Sequence, residues 1–208
     1  MDIVVTTPPA SGSALTICPL ADVKAHMKLV TARRDDEITA KIEAVYDTLG
    51  RPAQNLLNRT IAETQFRVYL PAFPDSAVWR LPFPPLKSVE SVQYLATDGT
   101  ETTLASADYI TRTGDGQYVG EIERVGSSWP TTKEHPRAAW VNFTAGYASV
   151  PADLVLLMKM MVAHYDANTE ATINEPRQMA VNRQVEFGHD YLVSKLRIPS
   201  SVWDGEYA

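Results

Sequence analysis

The spacing of apolar residues changes period twice along this chain, and that change limits the folds it can reach. Ile38, Ile42, Val45 and Leu49 recur at i, i+4, i+7 and i+11, the stripe of an amphipathic helix. Gln65-Phe66-Arg67-Val68-Tyr69-Leu70 then alternates polar and apolar, the period-two pattern of a half-buried strand. After Pro151, Leu154, Leu157, Met158, Met161, Val162 and Tyr165 return to helical spacing. Helical, β and helical zones in that order imply an α+β fold. The expected architecture is a small antiparallel helical bundle of three main helices, built from residues 17–62 and 148–172. An antiparallel β-sheet domain is inserted at 63–147, and an extended C-terminal arm follows at 173–208. Residues 1–16 carry Thr6, Thr7, Pro8, Pro9, Ser11, Gly12 and Ser13 without a basic or compact apolar run. They read as a flexible leader, not a secretory signal.

The helix boundaries follow from local chemistry. Pro19 suits a first turn, where its missing N–H is no loss, and Leu20, Val23 and Met27 share a face. The second helix opens at Asp35 or Asp36, and Glu37 adds charge beside the positive end of the dipole. Gly50 and Pro52 interrupt it, with a kink or break expected at Pro52. In the third helix Val155, Leu156 and Met160 extend the apolar surface nearly all round. Such a helix is buried on more than one side, against the second helix and a neighbouring element or subunit.

Between the helical zones the expected strands are short and frequently turned. Val78 to Leu81, Val89 to Leu95, Tyr109 to Thr111, Val119 to Val125 and Ala139 to Thr144 join the first strand. Pro71, Pro74, Pro82, Pro84 and Pro85 belong in edges and connections. Asp98-Gly99 marks a hairpin, and Gly114-Asp115-Gly116 reads as a second hairpin turn, lacking the spacing and following helix of a nucleotide loop. Six or seven such strands make a small sandwich or barrel-like sheet.

A search for reacting groups finds little. The formal charge of −6 disfavours phosphate neutralisation by clustered Lys and Arg. No apolar run is long enough to span a membrane. Cys18, the single cysteine, excludes an internal disulfide and a thiolate zinc site, and reads as a small buried hydrophobe. His164 and Asp166, two apart on one helix, point to different faces. No catalytic residue, metal site or cofactor is expected. Trp79, Trp129 and Trp140 can serve as stacking platforms, but without interleaved basic residues they better fill a β core. Trp203 lies in the arm, where it suits an interface anchor.

The ordered features resemble the head–tail connector, or adaptor, family of tailed phages and gene transfer agents. The resemblance rests on Leu20 to Met27, on Asp35-Asp36-Glu37-Ile38 leading into a helix, and on Leu57-Asn58-Arg59-Thr60-Ile61 before a strand containing Phe66. It continues through Leu81-Pro82-Phe83-Pro84-Pro85-Leu86-Lys87-Ser88-Val89, Val92-Gln93-Tyr94, Asp108-Tyr109 and Ser128-Trp129-Pro130. Val141 to Tyr147 running into Val150-Pro151, and a helix with Ala163-His164-Tyr165, complete it. It covers about residues 15 to 172, and Pro52 departs from the continuous helix of that pattern.

What the resemblance implies is a non-enzymatic structural subunit at the neck of a phage-like particle, assembled in the bacterial host cytoplasm. It implies a ring of copies, expected to be dodecameric, beneath the portal protein. That ring extends the DNA channel without gripping DNA specifically and offers a surface to a tail-side connector or stopper protein. The portal contact is expected from the arm through Arg177, Arg183, Phe187, Tyr191, Leu192, Arg197, Ile198 and Trp203. Packing between subunits is expected from Leu154, Leu157, Met158, Met161 and Tyr165. The alternative is a β-sheet carbohydrate-binding module with helical flanks.

Overall fold

The computed structural model describes residues 1–50, 55–113, 119–168, 188–199 and 202. Its elements run β1 (Asp2–Thr7), α1 (Ser13–Ile17), α2 (Leu20–His26), α3 (Asp35–Gly50), β2 (Thr64–Leu70), β3 (Val78–Leu81), β4 (Leu86–Leu95) and β5 (Glu101–Thr103). A 3-10 turn (Ser106–Asp108), β6 (Tyr109–Arg112), β7 (Gly120–Arg124), β8 (Ala139–Ala145) and α4 (Ala152–Ala167) follow. A further helix, α5, spans 188–196.

The architecture is α+β with antiparallel sheets, but the three-helix description is too spare, because α1 and α5 also join the helical layer. The stripe Ile38, Ile42, Val45 and Leu49 is wholly buried. It shares one apolar core with Leu154, Leu157, Met158 and Val162 of α4, with Cys18 and Val23, and with Leu192 and Leu196 of α5. Pro151 stands just before α4 with extended backbone, and Pro19 does the same for α2. Among the described residues no helix is long and apolar enough to cross a membrane.

Among the described residues the β zone forms two antiparallel sheets. One is ordered β1-β2-β8-β4-β5 and the other β3-β7-β6. Phe66, Val68 and Leu70 alternate inward from β2, in register with Phe143, Val141 and Ala139 of β8. They share one apolar core with Trp79, Leu81 and Ile122 of the smaller sheet. The β4–β5 hairpin turns through Gly99 at φ +90°, as Asp98-Gly99 foretells, while Gly114-Asp115-Gly116 lies outside the described residues.

The leader expectation fails. Residues 2–7 form an edge strand paired along β2 from Asp2↔Tyr69 to Thr7↔Gln65, and residues 13–17 form a helix that buries Ala14. Ile3 and Val5 pack on the β core, so the segment carries its own short alternation, which the flanking Thr, Pro and Ser residues obscured.

Two bodies meet around Leu57–Ala62 and the end of β8. The amide of Thr60 donates to the carbonyl of Pro84 at 3.0 Å, and that of Gly146 to Pro85 at 2.9 Å. Gly146 has φ +130°, and a Cβ there would lie 2.8 Å from the backbone of Ala62. A side chain is excluded both by the dihedral and by the seam.

Candidate functional site

The residues expected to meet other proteins are placed by α4 and the chain around α5. Of the five assigned to packing between subunits, Leu154, Leu157 and Met158 have no exposure and Met161 has 6%. They are the core of the chain's own helical body, packed on α3 and α5. A side chain enclosed in its own subunit has no surface to offer a neighbour, so this assignment is corrected for all but Tyr165, which is 37% exposed. Helical spacing finds the apolar face of α4 but does not say whether the covering element comes from the same chain.

The arm is corrected in the same way. It is not extended throughout: 188–196 is helical, and Leu192, Leu196 and Ile198 are buried. The backbone of the segment is also held by the turn at Leu57–Arg59. Arg59, 5% exposed, donates from Nε to the carbonyl of Leu196 and from Nη1 to Tyr147 Oη at 2.8 Å. Asn58 Nδ2 donates to the carbonyl of Ile198 at 2.8 Å, and the Ile198 amide donates to the carbonyl of Leu57 at 3.0 Å. Asn58 sits at φ 53°, a left-handed position that asparagine tolerates. Lys195 reaches Asp153 at the start of α4, 2.6 Å away. Leu192 and Ile198 thus face their own chain. Tyr191, at 61% exposure, and Arg197 face outward. Arg177, Arg183, Phe187 and Trp203 lie outside the described residues.

Beside α5, Thr48, Leu56, Met160, His164, Tyr165 and His189 line a largely apolar groove of about 380 Å³. His164 Nδ1 lies 3.3 Å from Asn168 Nδ2, while Asp166 turns away to Arg34 and Lys41, so the two diverge as their spacing requires. That second group is a network joining the start of α3 to the end of α4. Arg34 bridges Glu37 and Asp166, and Lys41 lies 2.5 Å from Glu37 and 2.8 Å from Asp166. Hydrogen bonds from Arg34, then Lys41, hold the Glu37 carboxyl at about 2. Burial acts to raise Asp166, but its bonds to Lys41 and Arg34 outweigh that and hold it below the usual carboxylate range. Asp35 is taken by Lys24 at 2.6 Å. Burial pushes the Cys18 thiol up, partly opposed by Lys159, and Cys18 has no exposure, in keeping with a small core residue.

The aromatic platforms of a carbohydrate site do not materialise. Trp79 is fully buried and Trp140 is 7% exposed. Trp129 lies parallel to Phe73, 5.0 Å between centroids, which occupies one ring face. They serve the β body, and these three rings form no open row for a sugar.

Sequence reasoning missed the anchoring role of Asn58 and Arg59, and it missed Leu196. Leu192 and Leu196 stand at i and i+4, a signal that was present but short. It also missed a polar network on the outer face of the larger sheet, where Arg67, Asn142, Ser91, Gln93 and Trp140 are hydrogen-bonded across three strands. The alternation of β2 and β8 already implied that Arg67, Tyr69, Trp140 and Asn142 share one face.

No family model matches the chain, and no curated protein does. Solved structures do match in fold. A chain from the virion of a native gene transfer agent particle aligns with a TM-score of 0.65 at 21% identity, covering 96% of both chains. A chain from the neck of an empty particle of this kind, computed with C6 symmetry, gives 0.63 at 20% identity. One from the neck of a native particle, computed with C12 symmetry, gives 0.63 at 22%. Both neck chains are also covered to 96% in each direction. The shared property is the fold over nearly the whole chain, including its β insertion.

Proposed function

We propose that this chain is a structural head–tail adaptor subunit, one copy of a ring beneath the portal of a phage-like particle. The observation that carries the reading is the nearly end-to-end fold likeness to chains from gene transfer agent necks. A shared domain inside a larger, unrelated protein would leave much of one chain unmatched. The C6 and C12 symmetries of those necks support a cyclic arrangement, and a heterologous contact that closes on itself is what a ring requires.

In this reading the ring extends the DNA channel and presents the tail with its attachment surface, through a tail-side connector or stopper. Surfaces do the work, and no reacting group is needed. The net charge of −6 suits a passage that must not hold phosphates, because like charge keeps the genome mobile within a Debye length of the wall. The portal contact falls to the outward residues near the C-terminus: Tyr191 and Arg197, with Arg177, Arg183, Phe187 and Trp203 beyond the described residues. Weak single contacts repeated around a ring act together through effective concentration.

The test is imaging of the particle neck with this subunit labelled, alongside particles lacking it. The label is expected in a ring between portal and tail, and particles without the chain are expected to leak DNA and fail to join tails. A label elsewhere, or deficient particles that keep DNA and carry tails, refutes the proposal.

A further inference from the structure

The outer face of the five-stranded sheet carries a cleft of about 310 Å³ whose floor is a fixed polar ladder. Trp140 Nε1 donates to Gln93 Oε1 at 3.0 Å, and Asn142 Nδ2 donates to the same oxygen at 3.1 Å and to Ser91 Oγ at 2.8 Å. Arg67 Nε donates to Asn142 Oδ1 at 2.6 Å. The ladder therefore orients Arg67 through Nε. Its Nη1 lies 3.4 Å from Tyr69 Oη, and no carboxylate among the described residues pairs with this guanidinium. Arg137 stands over the Tyr69 ring, 4.8 Å from its centroid, and pairs with Asp2. His135 also lines the cleft, and Glu101 is the one carboxylate among its described lining residues. In a chain of net charge −6, this is a built place for an anion, and a guanidinium fork suits a carboxylate.

The same chain carries a complementary surface on its other body. Asp36, Glu43 and Asp47 occupy i, i+7 and i+11 of α3 and are all exposed, so they form one stripe. Asp35 and Glu37 on the same helix have cation partners. The stripe has none among the described residues. Ala40 and Ala44 beside it are exposed and small, which lets another surface approach closely.

We propose that the two surfaces are halves of one contact between copies of this chain, with the α3 stripe of one copy seated at the Arg67 cleft of the next. Stripe and cleft are different surfaces on different bodies, so the contact is heterologous. It repeats from copy to copy and closes only as a ring or extends as a filament. The inference rests on the ring reading above and names the surfaces that make the ring.

The experiment uses two full-length variants. One reverses the stripe, Glu43→Arg with Asp47→Arg. The other reverses the cleft, Arg67→Glu, with Arg137→Glu as the substitute should that protein fail to fold by circular dichroism. Self-association is followed by sedimentation velocity at low and high salt. Wild type is expected to associate at low salt, and each variant alone at least about tenfold more weakly, the scale of one lost close charge pair. An equimolar mixture restores association, because each reversed surface then meets its opposite on the other variant. A wild type that stays monomeric throughout, variants that associate like wild type, or a mixture no better than its parts overturns the contact. A labelled ring in the neck with these residues facing elsewhere removes the contact and leaves the ring standing.

Discussion

Replacing Leu157 by alanine separates an internal helix from one that waits for a neighbour. Leu157 has no exposure, while Leu156, one position away, is 43% exposed. Removing an enclosed leucine forfeits its transfer energy and leaves a cavity that the helical body fills only in part, a loss of about 2–5 kcal/mol. In a chain of this length each kcal/mol lowers the melting temperature by roughly 2–4 °C, so a loss of about 3 kcal/mol gives a drop of about 6–12 °C. Leu156→Ala removes surface already half in water and is expected to change stability by no more than about 0.5 kcal/mol. The assay is thermal and urea melting of the free chain, diluted until association is negligible. Far-ultraviolet circular dichroism weights the helices, and tryptophan fluorescence weights the β body that holds Trp79, Trp129 and Trp140. Leu157→Ala is expected to lower the helical transition in the isolated chain. If the isolated chain keeps wild-type stability and only assembly is lost, Leu157 faces a neighbour and the reasoning here is wrong.

Three further outcomes follow from other parts of the molecule. Arg59→Met removes the donors to Leu196 and Tyr147; with about 1.5–3 kcal/mol per hydrogen bond to a charged group, amide exchange across 188–199 should rise at least about tenfold while sheet amides stay protected. Unchanged protection would show that apolar contacts alone hold α5. Gly120→Ala places a Cβ 2.3 Å from Leu86 Cβ and should cost about 1–3 kcal/mol or more in melting experiments. Leu86→Ala should not rescue it, since the nearest atom is the Cβ that alanine keeps. Glu37 is held at about 2 from an ordinary 4.5. A depressed carboxyl contributes stability that is full above its unfolded value and is lost as pH falls through its folded one. Glu37→Gln should therefore melt below wild type at pH 7 and match it near pH 2, and a gap that persists in acid would assign the effect to something other than charge.

Where a segment's pattern is long, the sequence settles its structure. The twelve-residue span from Ile38 to Leu49 and the alternation of β2 each name a buried face that the structure bears out. Val78 to Leu81 is found at its expected bounds. Short patterns in polar company mislead. Asp2–Thr7 holds only Ile3 and Val5 on its inward side, and an edge strand needs β2 beside it to be stable, information that lies some sixty residues away. The candidate site was legible only in part. Apolar α4 residues are recognisable as buried, but the partner that buries them is a tertiary fact. The cleft at Arg67 comes from register between β2, β8 and β4, and β4 carries irregularities between Leu86 and Ser88 and between Val89 and Ser91 that no local pattern announces.

The segment at 188–199 shows the same limit and has a functional consequence. Nine helical residues are too few to hold a helix alone in water, so α5 exists because Leu192 and Leu196 dock on the helical core and because Asn58 and Arg59 grasp carbonyls. Hydrogen bonds to backbone oxygens place little demand on the side chains of the segment they hold. The segment can therefore read as an unpatterned arm and still be fixed in place. An arm rooted in this way offers its outward residues, Tyr191 and Arg197, from a fixed position, and under the proposed portal contact the ordering entropy of the root is spent in folding the subunit instead of in docking. If the proposed portal contact runs through Tyr191 and Arg197, loosening the root through Arg59 while leaving both intact should weaken that binding without removing either contact residue. A wild-type affinity in Arg59→Met would mean that the root contributes nothing to docking.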